Sequence, residues 1–284
     1  LSNSKILKEN SMNIRAAVQS MNESTLKSID RKNLPTDVFK KLSKESIESY
    51  AETMLALPSE SKKTYIDGIS ELIDAGIDEF SNHQTIILKG TPMEFDEYKK
   101  KYGMKTKYRV IAECDGVYKL AGVESRITET EQIVYETNTL PYDEYLECRK
   151  FALSVMIFHN TRLLRPLYIF LDSINISRSS LLKEITNLME TNSFEINKLY
   201  KNYIIDTESE LSEKDLVFDK KKNIDDLSSN KLYKYSTQAL LYYKSDVMRL
   251  IKETVKKILP SSKQIESINQ ILQILELSFL DTIN

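Results

Sequence analysis

The sequence predicts an α/β region followed by an all-α region, and three observations carry that reading. The run from Tyr50 to Pro92 reads strand, turn, helix, strand and sharp turn in that order, which is one βαβ unit. Strand-like and helix-like stretches alternate up to about Glu136. From Pro141 onward every clear apolar period is helical.

Element by element, residues 13–19 form the first strand, followed by helices over 23–29 and 36–46. Residues 49–56 are strand-like and end in Leu57-Pro58-Ser59-Glu60-Ser61. Within AETMLALP the period of two sets Glu52, Met54 and Ala56 on one face and Ala51, Thr53, Leu55 and Leu57 on the other. Tyr65, Ile69, Leu72 and Ile73 make a helical stripe over 62–75, which Gly76 stops. Residues 80–88 return as a strand, 95–102 as a helix, and 106–112 and 132–137 as extended pieces.

Pro141 opens the next helix, with Asp143 and Glu144 complementing the dipole of its first turn. Its continuation to His159 is apolar nearly all round from Phe151 to Phe158, so it is expected at the centre of the helical region. Further helices are expected over 181–189, 194–203, 237–243 and 247–258. The last carries Ile265, Ile268, Leu272, Leu275 and Phe279, and with barely two heptads this stripe is read as packing onto its own bundle. Residues 208–230, with Asp219-Lys220-Lys221-Lys222-Asn223 inside them, read as a solvated loop with a short helix.

Composition narrows the function classes. The 284 residues are 41% hydrophobic, enough for one or two cores. Forty basic against 42 acidic residues leave a net charge of -2, so no global field draws nucleic acid or an anionic membrane. No stretch approaches the roughly 20 apolar residues of a membrane span, and the N-terminus lacks an apolar signal core. A cytoplasmic location is expected, with neither nucleic acid nor membrane as partner. With six Gly in all, no dinucleotide fingerprint, Walker loop or Gly-x-Ser-x-Gly elbow is present.

The segment IRAAVQSMNESTLKSIDRKN, a strand ending in Gln-Ser before a helix with Arg, is followed by a strand ending in LPSES. Together these resemble the second half of the radical S-adenosylmethionine (SAM) barrel, where the later strand ends in Gly-Leu-Pro-Gly-Glu-Thr. The likeness continues through YKKKYGMKTKYRVIAECDGVY and IVYETNTLPYDEYLECRKFALSVMIFHN into the pattern that follows the barrel in cobalamin-binding radical SAM proteins. It covers about residues 12–165.

This resemblance implies a partial parallel (β/α) TIM-type barrel over residues 1–136 and a helical C-terminal domain over 137–284. It implies SAM, a 4Fe-4S iron-sulfur cluster and possible use of cobalamin as cofactors. The implied chemistry is radical, such as methyl transfer or rearrangement, on a small-molecule or peptide substrate. The cluster needs three thiolates spaced Cys-x3-Cys-x2-Cys, and the two cysteines here, Cys114 and Cys148, cannot supply them. The chain is therefore read as a C-terminal fragment whose first partner is the N-terminal half of the same protein, with cluster ligands and cobalamin domain outside it. The alternative is a non-catalytic interaction module, in which the half-barrel is a scaffold and the helices dock a partner protein.

In parallel barrels the site lies at the strand C-termini. The resemblance puts Gln19, Ser20 and Arg31 at the ribose and methionine carboxylate of SAM, and an Arg fork with an amide suits a zwitterion. Read without a relative, Arg31 simply caps a helix C-terminus. Glu52 is the acidic candidate facing the pocket, its alternative being a solvent-facing strand residue. Leu57 and Pro58 are expected to support the adenine. Ser59 and Ser61 depart from the family's Gly and Thr, and losing that Gly restricts a turn that favours positive φ. His83 and Gln84 are substrate-pocket candidates, whereas His159, in an apolar helix end, reads as structural. No residue is assigned a catalytic role, and no metal ligand set is spaced in the chain.

Overall fold

The computed structural model describes residues 14–45, 48–213, 230–259 and 261–281. Strands β1 (Ile14–Gln19), β2 (Ser49–Leu55) and β3 (Glu79–Gln84) form a parallel sheet in the order β1-β2-β3. Helices α1 (Glu23–Ser28) and α2 (Thr36–Lys44) join the first two strands, and α3 (Lys62–Asp74) joins the second pair. Chain order and spatial order coincide, as in successive right-handed crossovers of a parallel barrel or open sheet.

One face of this sheet is closed. Ala16 and Val18, Ala51 and Leu55, and Phe80 are buried in the same cluster as Phe39 and Leu42 of α2 and Tyr65, Ile69, Leu72 and Ile73 of α3. The opposite face, with Arg15, Ala17, Tyr50, Glu52, Met54, Ser81 and His83, is exposed or half-buried. A strand with one packed face shows this alternation because successive side chains point oppositely. Helix α3 begins at Ser61, whose side chain and that of Thr64 form a reciprocal capping box, and it ends just before Gly76 at φ +91°.

After α4 (Asp96–Tyr102) the chain forms one long antiparallel hairpin of β4 (Lys105–Leu120) and β5 (Val123–Glu136). The two expected extended pieces are its bases. Its outer part carries Val117, Tyr118, Val123 and Ile127 exposed among charged residues, so no single buried face marks it in the sequence. The expected strand over 80–88 ends at Gln84, and Ile86 continues as an isolated antiparallel bridge to Ile133.

Helix α5 (Tyr142–Ser154) follows Pro141, which sits at the N-cap rather than inside the helix. It passes directly into a π-helical stretch, Val155–Asn160. Then come α6 (Arg165–Ser173), which the sequence reading did not separate, α7 (Ser179–Thr191), α8 (Ile196–Ser209), α9 (Lys231–Tyr242), α10 (Lys244–Ile258) and α11 (Ser262–Asp281). Ile268, Leu272 and Leu275 of α11 are buried in the chain's own core. The lysine run at 220–222 lies outside the described residues. The buried cluster is continuous from Ala16 to Leu275 and crosses the expected boundary at Glu136, because α5 packs on both α3 and β5.

His159 is structural. Its ring is buried, with Nδ1 3.1 Å from the Tyr168 hydroxyl and Nε2 3.1 Å from the Ile77 carbonyl oxygen, and it ties the π-helical stretch to α6 and to the turn before β3. Burial lowers its pKa to about 4.

Candidate functional site

The C-terminal ends of the three strands carry polar residues on the face that is otherwise apolar. A β-bulge between Ala16 and Gln19, with Gln19 at φ +61°, breaks the alternation of β1 and pairs Gln19 with Thr53. Gln19 and the buried Ser20 therefore line a small cavity of about 10 Å³ together with Thr53, Glu60, Thr64 and Tyr65.

Glu60 is the unusual member of this group. It is 1% exposed, and neither carboxylate oxygen has a hydrogen-bond partner among the described residues. Burial raises its pKa to about 7, while the Ser20 and Thr64 hydroxyls nearby act in the opposite direction. Its position follows from the turn before α3. The Glu60 amide donates to the Leu57 carbonyl at 3.1 Å, with Pro58 next and Ser59 at φ +67°. Ser59 thus occupies the left-handed conformation for which Gly is the easier residue, and its hydroxyl lies 2.9 Å from that of Ser28. Leu57 and Pro58 are buried beneath this turn.

A buried polar run leads from there to β3. Thr53 Oγ1 donates to Asn82 Oδ1 at 2.9 Å, and the Tyr65 hydroxyl lies 3.4 Å from the same oxygen. Next along β3, Gln84 donates to the Tyr145 hydroxyl of α5 and accepts from Arg109 of β4. Arg109 also holds Glu131 of β5 through Nε at 2.6 Å and Glu210 at 3.5 Å.

His83, Gln84, Asn82, Arg109, Arg149 and Glu210 are among the residues lining a larger cavity of about 280 Å³. The structure thus groups Gln19 with Ser20, and His83 with Gln84, in two cavities at the same end of one sheet. Glu52 and Arg31 stand apart from both. Glu52 lies on the open face, 2.6 Å from Arg15, whose guanidinium stacks over Tyr50 at 5.1 Å. Arg31 is exposed after α1, and its backbone amide donates to the Leu26 carbonyl at 2.9 Å.

Sequence reasoning missed Glu60, Arg109, Tyr145, Arg149 and Glu210. The LPSES turn held a usable signal for Glu60, since it already matched a family pattern. For Arg149 the cue was its place, with Lys150, at the start of the apolar run from Phe151 to Phe158.

A four-iron cluster does not fit the residues present. Cys148 is buried, and burial pushes its thiol far above the usual range, whereas Cys114 is half-exposed on β4. No group of three or more His, Cys, Asp or Glu able to hold a metal ion occurs among the described residues. Also among them, no helix is long and apolar enough to cross a membrane.

No family model matches the chain. Two curated proteins are similar to part of it. The chain is 33% identical over 171 residues, 56% of its length, to the cobalamin-dependent radical SAM methyltransferase TokK of Streptomyces tokunonensis. It is 32% identical over 172 residues, again 56% of its length, to the 2-(S-pantetheinyl)-carbapenam-3-carboxylate methyltransferase of Streptantibioticus cattleyicolor. Each match covers 24% of the relative, so the chain spans about a quarter of the length of these proteins. Over that 56% the chain is similar to one cobalamin-dependent radical SAM methyltransferase and one further methyltransferase.

Proposed function

We propose that this chain supplies the second half of a radical SAM barrel and its helical domain to a cobalamin-dependent enzyme of the methyl-transfer type. The observation that carries the reading is the two methyltransferase matches, taken with a parallel three-stranded sheet whose strand C-termini are polar. The domain division proposed is a half-barrel over 1–136 and a helical region over 137–284. Cluster and cobalamin would supply SAM cleavage and methyl transfer from protein outside these residues.

The role of this chain is positioning. Gln19 and Ser20, with the Leu57-Pro58 turn below, would orient one end of SAM, and Arg31 and Glu52, outside both cavities, would meet its charged groups from the rim. His83 and Gln84 would face substrate. Gln84 is suited to hold a fixed orientation, because Tyr145 and Arg109 pin both ends of its amide.

The test is reconstitution under anaerobic conditions with iron and sulfide. The chain alone should gain no cluster absorbance and release no 5′-deoxyadenosine. A protein joining it to a segment with the three-cysteine loop should release 5′-deoxyadenosine from SAM. If that protein assembles its cluster yet never cleaves SAM, the reading fails and the non-catalytic interaction module takes its place.

A further inference from the structure

Arg149 projects from α5 into the 280 Å³ cavity, and its surroundings do not complete it. The residue is 4% exposed, its Nε has no hydrogen-bond partner among the described residues, and its guanidinium carbon lies 5.5 Å from the Tyr203 ring centroid. Stacking on an aromatic face satisfies part of the charge but none of the in-plane donors. The two carboxylates that line the cavity, Glu131 and Glu210, are both paired with Arg109. Arg109 is by contrast fully engaged, with Glu131, Gln84 and Glu210.

A buried guanidinium whose Nε lacks an acceptor is costly, and its planar fork matches the oxygens of a carboxylate or phosphate. The remaining wall is partly apolar, with Met54, Ile86, Val110 and Leu232. An amphiphilic small molecule meets both demands. The cavity opens beside His83 at the C-terminal end of β3, the end at which ligands of parallel α/β sheets bind.

We propose that this cavity is an oxyanion site: Arg149 receives the carboxylate or phosphate group of a small-molecule ligand whose apolar body rests on Met54, Val110 and Leu232. The site names the substrate class for the methyl-transfer reading but does not depend on it. Arg109 is a positioning residue, holding Glu131 and Gln84 as the rim. Glu210, facing the same space, opposes the incoming negative charge and limits the affinity.

The inference is tested on the full chain, without SAM, cluster or cobalamin, by following the Arg149 Nε–H and Leu232 amide resonances during titration with acetate or with inorganic phosphate at constant ionic strength. A saturable shift of both resonances with either probe is expected. Response to acetate alone identifies a carboxylate ligand, and response to phosphate alone a phosphate ester. Glu210→Gln should tighten binding at least about threefold by removing a like charge, and Arg149→Lys should abolish saturation at Leu232 while the remaining amide spectrum stays folded. Absence of saturation with both probes in the folded wild-type chain overturns the proposal and leaves the cavity to water. So does weaker binding in Glu210→Gln. Either result leaves the methyl-transfer reading standing, since SAM cleavage is measured separately.

Discussion

Thr53 Oγ1 donates to Asn82 Oδ1 at 2.9 Å across two neighbouring parallel strands, in a layer where apolar contact would be expected. Both residues are buried, and Asn82 Nδ2 has no partner of its own among the described residues. Thr53→Val should therefore destabilise the chain by about 0.5–1.5 kcal/mol, because the buried Asn82 Oδ1 loses the nearer of its two donors and keeps only the Tyr65 hydroxyl at 3.4 Å. Urea unfolding of the two proteins checks this, and a change below about 0.3 kcal/mol would mean that water replaces the hydroxyl at no cost.

Gly76→Ala should cost more than about 1 kcal/mol. The glycine closes α3 at φ +91°, and a Cβ built there would fall 2.4 Å from Ser43 Oγ on the segment of α2. Backbone strain and the clash act in the same direction. A thermal melt showing an unchanged midpoint would mean that α2 and α3 are less tightly docked than the structure has them.

Glu60 gives a pH dependence with a defined sign. Its folded pKa of about 7 lies above the usual carboxylate value of 4.5, so the folded state holds the proton more tightly than the unfolded chain. Its contribution is complete below about pH 4.5 and is lost as pH rises through 7. Glu60→Gln should remove that loss, making the variant relatively more stable at pH 8 than at pH 5. Equal wild-type-minus-variant differences at the two pH values would show a carboxylate that ionises without penalty.

His159 acts in the opposite sense. Its folded pKa of about 4 lies below the ordinary 6.5, so the unfolded chain binds the proton first. Stability falls as pH drops from 6.5 towards 4, by up to about 3 kcal/mol for this one group. A His159→Gln variant should lack this component. The ratio of its unfolding free energies at pH 7 and pH 5 against wild type is the readout.

In an assembled enzyme, Arg31→Ala should weaken SAM binding by about 1.5–3 kcal/mol, the scale of a charged hydrogen bond, while Lys63→Ala on the outer face of α3 should leave it unchanged. Direct titration with SAM distinguishes them. Equal effects would mean that Arg31, exposed beyond α1, takes no part in the pocket.

Much of the helical architecture was legible, because a core-facing stripe repeats every 3.6 residues and needs no distant partner to be recognised. The stripe Tyr65, Ile69, Leu72 and Ile73 marked α3 and its buried face together. The hairpin was not legible beyond its bases, since the described side chains of its outer strands are exposed or half-buried on both faces. Helix α6 was missed although the polar run His159-Asn160-Thr161-Arg162 before it and Pro166 in its first turn mark a fresh helix start.

What the sequence by itself determined is the order of elements, the switch to helices at Pro141, the face of β2 that carries Glu52, and a resemblance to radical SAM proteins in the strand-end motifs. Only the tertiary structure decided which of the polar residues meet. Gln19 leaves the face its periodicity assigns because a bulge shifts it by one position, and a one-residue shift reverses every side chain beyond it. Arg109, Arg149 and Glu210 come from a strand, a helix and a helix end far apart along the chain, so their convergence is a property of packing, which no local pattern of residues encodes.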